Sequence, residues 1–140
     1  MAQISDILAT LDEALAPGEF DDLGPNGLQV PGTAEVGHVV TGVSARRELS
    51  ERAVALGAEL VLVHHGLFWN FQPAGLTPLL AERLRPLFKH DINLAAYHLP
   101  LDAHPELGNN AILARELGCV NRRPFGRYKG MSIGCQGELG

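Results

Sequence analysis

Leu60-Val61-Leu62-Val63-His64-His65-Gly66-Leu67-Phe68-Trp69 is the stretch that decides the fold. Four consecutive aliphatic residues predict a strand buried on both faces, the kind found in a sheet with helices on either side. Two imidazoles stand at its end. Adjacent side chains on a regular strand point to opposite faces, so His64 and His65 are expected to share a site only where strand gives way to loop, which Gly66 permits. A neighbouring pair is better placed to give one nitrogen to each of two metal ions than to chelate one. Two-metal hydrolytic sites hold their ions about 3.5–4 Å apart, a spacing that flanking ligands suit. The alternative is one buried, hydrogen-bonded histidine beside one solvated histidine.

On the N-terminal side, residues 38–43 are β-rich, and Ser44 suits the cap of a helix reaching Leu56, with Gly57 as its left-handed stop. Residues 21–32 are dense in turn formers and read as a loop; they lack the GxxxxGK[ST] and GxGxxG spacings of phosphate cradles. Ile4, Ile7, Leu8, Leu11 and Leu15 recur at helical spacing, with Ser5 as candidate cap and Pro17-Gly18 as terminator. On the C-terminal side, Thr77-Pro78 reads as an N-cap with proline at the first helical position, and Leu79, Leu80, Leu84, Leu87 and Phe88 form an apolar face. Lys89 and His90 suit the negative pole of that helix, so His90 needs no functional explanation. Residues 92–97 make a third strand candidate, and 109–117 another helix closed by Gly118. This alternation predicts an α/β fold, a largely parallel or mixed central sheet flanked by helices.

With 46% of its 140 residues apolar, the chain can bury one ordinary core. Its first twenty residues carry Asp6, Asp12, Glu13 and Glu19, unlike a secretory signal, and no apolar run approaches the ~18 residues of a membrane span. A soluble cytoplasmic protein is expected. Cys119 and Cys135 form no CxxC pair and read as ordinary reduced thiols. A net charge of −5 argues against binding a nucleic-acid backbone. Residues 121–140 are locally basic, with Arg122, Arg123, Arg127 and Lys129 against Glu138; such a tail can meet phosphate, but a solvated linker is the preferred reading.

In open α/β sheets, ligands gather beyond the carboxyl ends of strands, where both His64-His65 and His98-Leu99-Pro100-Leu101-Asp102-Ala103-His104-Pro105 are expected. His98 and Asp102 have i, i+4 spacing, yet Pro100 removes a backbone donor and disfavours helix at Leu99, so a loop is expected here. A carboxylate facing two imidazoles supplies mixed nitrogen and oxygen donors suited to Zn, Fe or Mn. Blander roles stay open: Asp102 as a turn residue, His104 as a surface side chain, His98 as a donor that orients a ligand.

Asn26-Gly-Leu-Gln-Val, Val63-His-His-Gly-Leu-Phe-Trp and Tyr97-His-Leu-Pro-Leu-Asp-Ala-His-Pro-Glu-Leu-Gly-Asn-Asn together resemble the Nif-three-like dinuclear metal-centre family, also named GTP cyclohydrolase 1 type 2 homologues. The resemblance runs from the first helix to about residue 120, in the order of the family's N-terminal half. It implies that His64, His65 and Asp102 are metal ligands, with His65 and Asp102 sharing one ion and His64 serving the other. It further implies His98 as a catalytic, proton-moving histidine near the centre, and two divalent ions (Zn, Fe or Mn) in the complete protein. The implied function is metal-dependent hydrolysis of a small molecule, a nucleotide or related ring; the competing function is a non-catalytic metal carrier or assembly scaffold. A homo-oligomer, in the form of a ring hexamer, is the implied assembly. The family's site is completed by a histidine and a bridging glutamate in a longer chain, and no such pair stands here. Residues 1–120 are thus expected to be the N-terminal α/β half, and 121–140 a Gly-rich basic linker into a missing second half.

Overall fold

The computed structural model describes residues 1–140, which divide into two units: Met1–Ala14 with Leu23–Tyr97, and Leu15–Asp22 with His98–Gly140. The chain opens with β1 (Ala2–Gln3) and α1 (Ile4–Leu15), followed by β2 (Gly27–Val30), β3 (Glu35–Val36), β4 (Val39–Ser44) and α2 (Arg47–Ala55). The first unit is completed by β5 (Leu60–His65), α3 (Pro78–Lys89) and β6 (Asn93–Ala96). Its main sheet has the order β2-β6-β5-β4; β4, β5 and β6 run parallel, and β2 lies antiparallel along β6. The expected mixed sheet flanked by helices is therefore what forms.

The aliphatic run is a strand because β5 and β6 are the two interior strands. Leu60, Val61, Val63, Leu94, Ala95 and Ala96 are all buried, which only continuous apolar sequence can satisfy. Alternate positions Val61, Val63, Leu94 and Ala96 join Ala53 of α2 with Leu84 and Leu87 of α3 in one apolar cluster. The buried Asn93 is fully used: its amide accepts from Gly32 N at 2.8 Å and donates to Thr33 O at 2.8 Å and Glu59 O at 3.1 Å.

Several local expectations are met, and several are corrected. Thr77 caps α3, its side chain accepting from Leu80 N at 3.2 Å with Pro78 at the first helical position. The apolar face of α3 is narrower than expected, because Leu79 and Phe88 are exposed while Leu84 and Leu87 face inward. Ser44 ends β4 instead of capping α2, which starts at Arg47. Ser5 lies inside α1, behind β1. Part of the turn-rich segment 21–32 is β2, entered through Gly27 at φ +95°.

The second unit holds a short 3-10 helix (Pro17–Glu19), α4 (Leu99–Ala103), α5 (Asn109–Glu116), β7 (Cys119–Tyr128) and β8 (Met131–Leu139). Two expectations fall here. Residues 99–102 are not a loop: Pro100 sits in the first turn of α4, where the proline's missing N–H leaves no intrahelical bond unmade. Residues 121–140 are not a linker but most of an antiparallel hairpin, with Tyr128 opposite Met131. Lys129 at φ 45° and Gly130 at φ 92° make its two-residue turn, whose left-handed backbone matches the twist of paired strands. The unit boundary also falls at Tyr97–His98, well before residue 120. Both α4 and α5 pack on β8, and Asn110 Nδ2 donates to Asp102 O at 3.1 Å and Ile133 O at 2.6 Å. No helix is long and apolar enough to cross a membrane.

Candidate metal centre

In the first unit, His64 and His65 both remain within β5, contrary to the expectation that they meet only in a loop. Their ring centroids are nevertheless 4.4 Å apart, with planes inclined at 43°. The pairing explains how. β5 is paired with β6 only as far as Val63, opposite Ala96, while on its other side His65 still pairs with Ser44. Past Val63 the strand is held from one side, and its two last rings turn toward each other.

Each ring is oriented through Nδ1. His64 Nδ1 lies 3.1 Å from the Tyr97 carbonyl, an acceptor only, so Nδ1 carries the hydrogen and Nε2 carries the lone pair. His65 Nδ1 lies 3.0 Å from Ser44 Oγ on the neighbouring strand. The backbone behind them is fixed as well: Tyr97 N donates to Val63 O at 3.0 Å, and Ala45 N to His65 O at 2.8 Å. Just beyond, Leu67 N donates to Gln29 Oε1 at 2.7 Å, while Gln29 Nε2 donates to Pro25 O at 2.8 Å. Gln29 fills the space beside Gly66, where any Cβ would collide with its amide.

In the second unit, His98 precedes α4 and Asp102 lies one turn on, with Asp102 N donating to His98 O at 3.1 Å. His98 Nδ1 lies 2.7 Å from Asp22 Oδ1, and the other carboxylate oxygen accepts from Leu99 N at 2.9 Å. The Asp22 side chain is only 2% exposed. As with His64, an acceptor-only partner puts the hydrogen on Nδ1 and makes Nε2 the reactive nitrogen. The Asp102 carboxylate accepts from Asn109 Nδ2 at 3.0 Å and borders a cavity of about 250 Å³ that also meets Arg122, Arg123 and Cys135. His104 is a turn residue: its Nδ1 accepts from Glu106 N at 3.2 Å and Leu107 N at 2.9 Å.

Sequence reasoning missed the groups that do the orienting. Asp22 and Gln29 lay in a segment read as an unassigned loop, and Ser44 was given to a helix cap. The Tyr97 phenol, by contrast, is occupied elsewhere: it donates to Asp12 Oδ1 at 2.6 Å, and burial, reinforced by that bond, pushes its pKa well above the ordinary tyrosine range.

Metal-binding histidines typically donate one ring nitrogen to a carbonyl or carboxylate and present the other to the ion. His64 and His98 make that bond, to the Tyr97 carbonyl and the Asp22 carboxylate, and His65 meets the Ser44 hydroxyl through Nδ1, so the class defined here is a mixed α/β protein with histidines fit to hold a metal ion. The chain belongs to the Duf34/NIF3 (NGG1p interacting factor 3) family, whose model matches residues 2–140. It is 52% identical over 114 residues to a GTP cyclohydrolase 1 type 2 homolog of Vibrio cholerae, covering 81% of this chain and 45% of the relative. The same-named protein of Neisseria meningitidis serogroup B is 46% identical over 134 residues, covering 96% and 54%. A crystal structure from Thermus thermophilus superimposes with a TM-score of 0.84 at 41% identity, covering 89% of this chain and 51% of that one. The structural-genomics protein ybgI, of unknown function, gives 0.83 at 45% identity, covering 85% and 48%. The chain spans about half the length of these curated relatives and solved structures.

Proposed function

We propose that this chain is the ligand-bearing half of a metal-dependent hydrolase, with His64, His65 and Asp102 as metal ligands and His98 as the proton-moving residue. The observation that carries the reading is the use of Nδ1 in hydrogen bonds to Tyr97 O, Ser44 Oγ and Asp22, which puts the lone pair on Nε2 of His64 and His98 and leaves Nε2 as the remaining nitrogen of His65. Two imidazoles and a carboxylate fit a pair of divalent ions of the Zn, Fe or Mn type. When bound, such ions supply Lewis acidity and a nucleophilic water at neutral pH. The chain's own residues do the rest. Ser44 and the Tyr97 carbonyl each hold one ring through Nδ1, which limits the reorganisation that binding requires. Asp22 holds His98 with its hydrogen on Nδ1, leaving Nε2 to take a proton from one reacting atom and return it to another.

The name GTP cyclohydrolase 1 type 2 homolog, carried by the relatives, supports a nucleotide or related ring as substrate. The reading also includes self-association, as a ring hexamer, in the cytoplasm. Metal analysis after dialysis tests the ligand set. Three protein ligands shared by two ions fall short of the three per ion usual in catalytic zinc sites, so the 140-residue chain should retain about one ion, at partial occupancy. His65→Ala and Asp102→Asn should each lose it. A longer protein carrying further ligands should retain two ions and open a guanine ring. No retained metal in either length, or retention unchanged in the His65→Ala variant, would overturn the reading.

A further inference from the structure

We propose that Trp69 and Phe71 form a stacking platform beside His65 for the planar heteroaromatic ring of the substrate. The proposal deepens the hydrolase reading above and rests on it. The Trp69 and Phe71 rings are stacked, with centroids 5.9 Å apart and planes inclined by 18°. The His65 ring also neighbours Trp69, with centroids 6.2 Å apart and planes inclined by 54°. A stacked aromatic pair thus adjoins a proposed metal ligand at the carboxyl end of β5, where α/β sheets bind their ligands.

Packing explains Trp69, which is half-buried with its ring edge against Gly24, but not the outermost ring, Phe71. Phe68 packs against the apolar cluster of the first unit, whereas Phe71 is 72% exposed. A loose loop would let such a ring fold away. This loop is held at four points: Trp69 N donates to Gln72 Oε1 at 3.1 Å, Gln72 Nε2 to Leu67 O at 3.0 Å, Gln72 N to Trp69 O at 3.0 Å, and Asn70 N to Leu23 O at 2.8 Å. Pre-ordered aromatic faces of this kind bind flat rings by stacking, and the contact is tolerant of which base is bound because every base has a π-face. Specificity for one ring would then come from groups other than the platform.

Trp69 is the only tryptophan, so its fluorescence reports on the platform directly and without catalysis. The 140-residue chain is titrated with guanosine monophosphate and, as control, with ribose 5-phosphate. Saturable quenching by the nucleotide alone is expected, at similar strength with and without divalent metal. Phe71→Ala should weaken it by roughly 5- to 140-fold, the range that loss of one stacking contact gives. Phe71→Leu, which keeps apolar bulk without a π-face, should weaken it nearly as much, and Phe71→Tyr should restore it. Equal quenching by both ligands, no quenching, or full binding by Phe71→Leu would overturn the platform. So would a switch from oligomer to monomer in Phe71→Ala, which would make the exposed ring a subunit contact. Metal retention is measured on the same samples: metal held without quenching removes the platform and leaves the ligand set, whereas quenching without metal does the reverse.

Discussion

Replacing Asp22 with asparagine tests whether the carboxylate sets the chemistry of His98. In the native site the two oxygens meet two donors, His98 Nδ1 at 2.7 Å and the backbone amide of Leu99 at 2.9 Å. An asparagine has one oxygen and one NH₂ group. Leu99 N is fixed at the start of α4 and should keep the oxygen. The NH₂ group then faces Nδ1, and the imidazole can answer only by moving its hydrogen to Nε2. That move removes the Nε2 lone pair. Changes to such orienting partners typically cost 10–100-fold in metal affinity or activity, and that loss is expected for whichever of the two His98 serves. The exchange of a charge-assisted for a neutral bond inside a site where Asp22 is 2% exposed should lower stability by about 1–2 kcal/mol. Long-range nitrogen–proton NMR of the His98 ring reads the tautomer, and denaturant unfolding reads the stability. Asp22→Ala separates the two effects, since it also strips the acceptor from Leu99 N and should destabilise the second unit further. An Asp22→Asn protein that keeps the hydrogen on Nδ1 with unchanged ligand binding would refute the reasoning.

Gly66→Ala should cost about 1–3 kcal/mol, since the new methyl displaces a Gln29 amide that is already committed to Leu67 N and Pro25 O; the His64 and His65 ring resonances should broaden, and sharp wild-type-like signals would contradict this. The Glu59 carboxylate accepts from His38 N at 2.7 Å and Gly37 N at 3.0 Å, which holds its pKa below the ordinary glutamate range. Its contribution is therefore present above about pH 4.3 and is lost as the pH falls through the lowered value. Glu59→Gln should be less stable than wild type at neutral pH and converge with it in acid; parallel stability curves would count against the assignment. Tyr97→Phe removes the bond to Asp12 and should cost about 1 kcal/mol, because the exposed carboxylate can be rehydrated; a phenol titration by ultraviolet absorbance should lose its most alkaline component, and retention of that component would assign it elsewhere.

The sequence made the interior of the first unit legible because burial on both faces leaves only one kind of residue for Leu60 to Val63 and for Leu94 to Ala96. Caps and stops with a purely local cause were legible too: Thr77-Pro78, and Gly57 at φ +66°. Where the cause was tertiary, the reading failed. Pro100 looked like a helix breaker until its position in the first turn was known, and residues 121–140 looked like a linker because β7 is polar and exposed over most of its length and glycines interrupt both strands of the hairpin. Only Gly130 signalled the turn, because lysine is not among the residues that favour the positive φ seen at Lys129. For the site, the imidazoles announced themselves as a doublet, but Asp22 stands 76 residues before His98, and no spacing rule links them.

Asp22 has a further consequence for the order in which the chain can be completed. Leu15–Asp22 belongs to the second unit, yet the rest of that unit starts at His98, so Leu23–Tyr97 is an insertion that must be synthesised in between. At about 5–20 residues per second, the 76-residue interval corresponds to roughly 4–15 s on the ribosome. Asp22 spends that interval hydrated, without the ring it will hold. The parallel strands of the first unit can assemble in the meantime. Its N-terminal arm, Met1–Ala14, and everything from Leu23 to Tyr97 are in hand before the first residue of α4 emerges. Nascent chains arrested once Tyr97 has cleared the ribosome should already protect β5 and β6 from proteolysis, while Leu15–Asp22 stays cleavable until the hairpin has emerged as well.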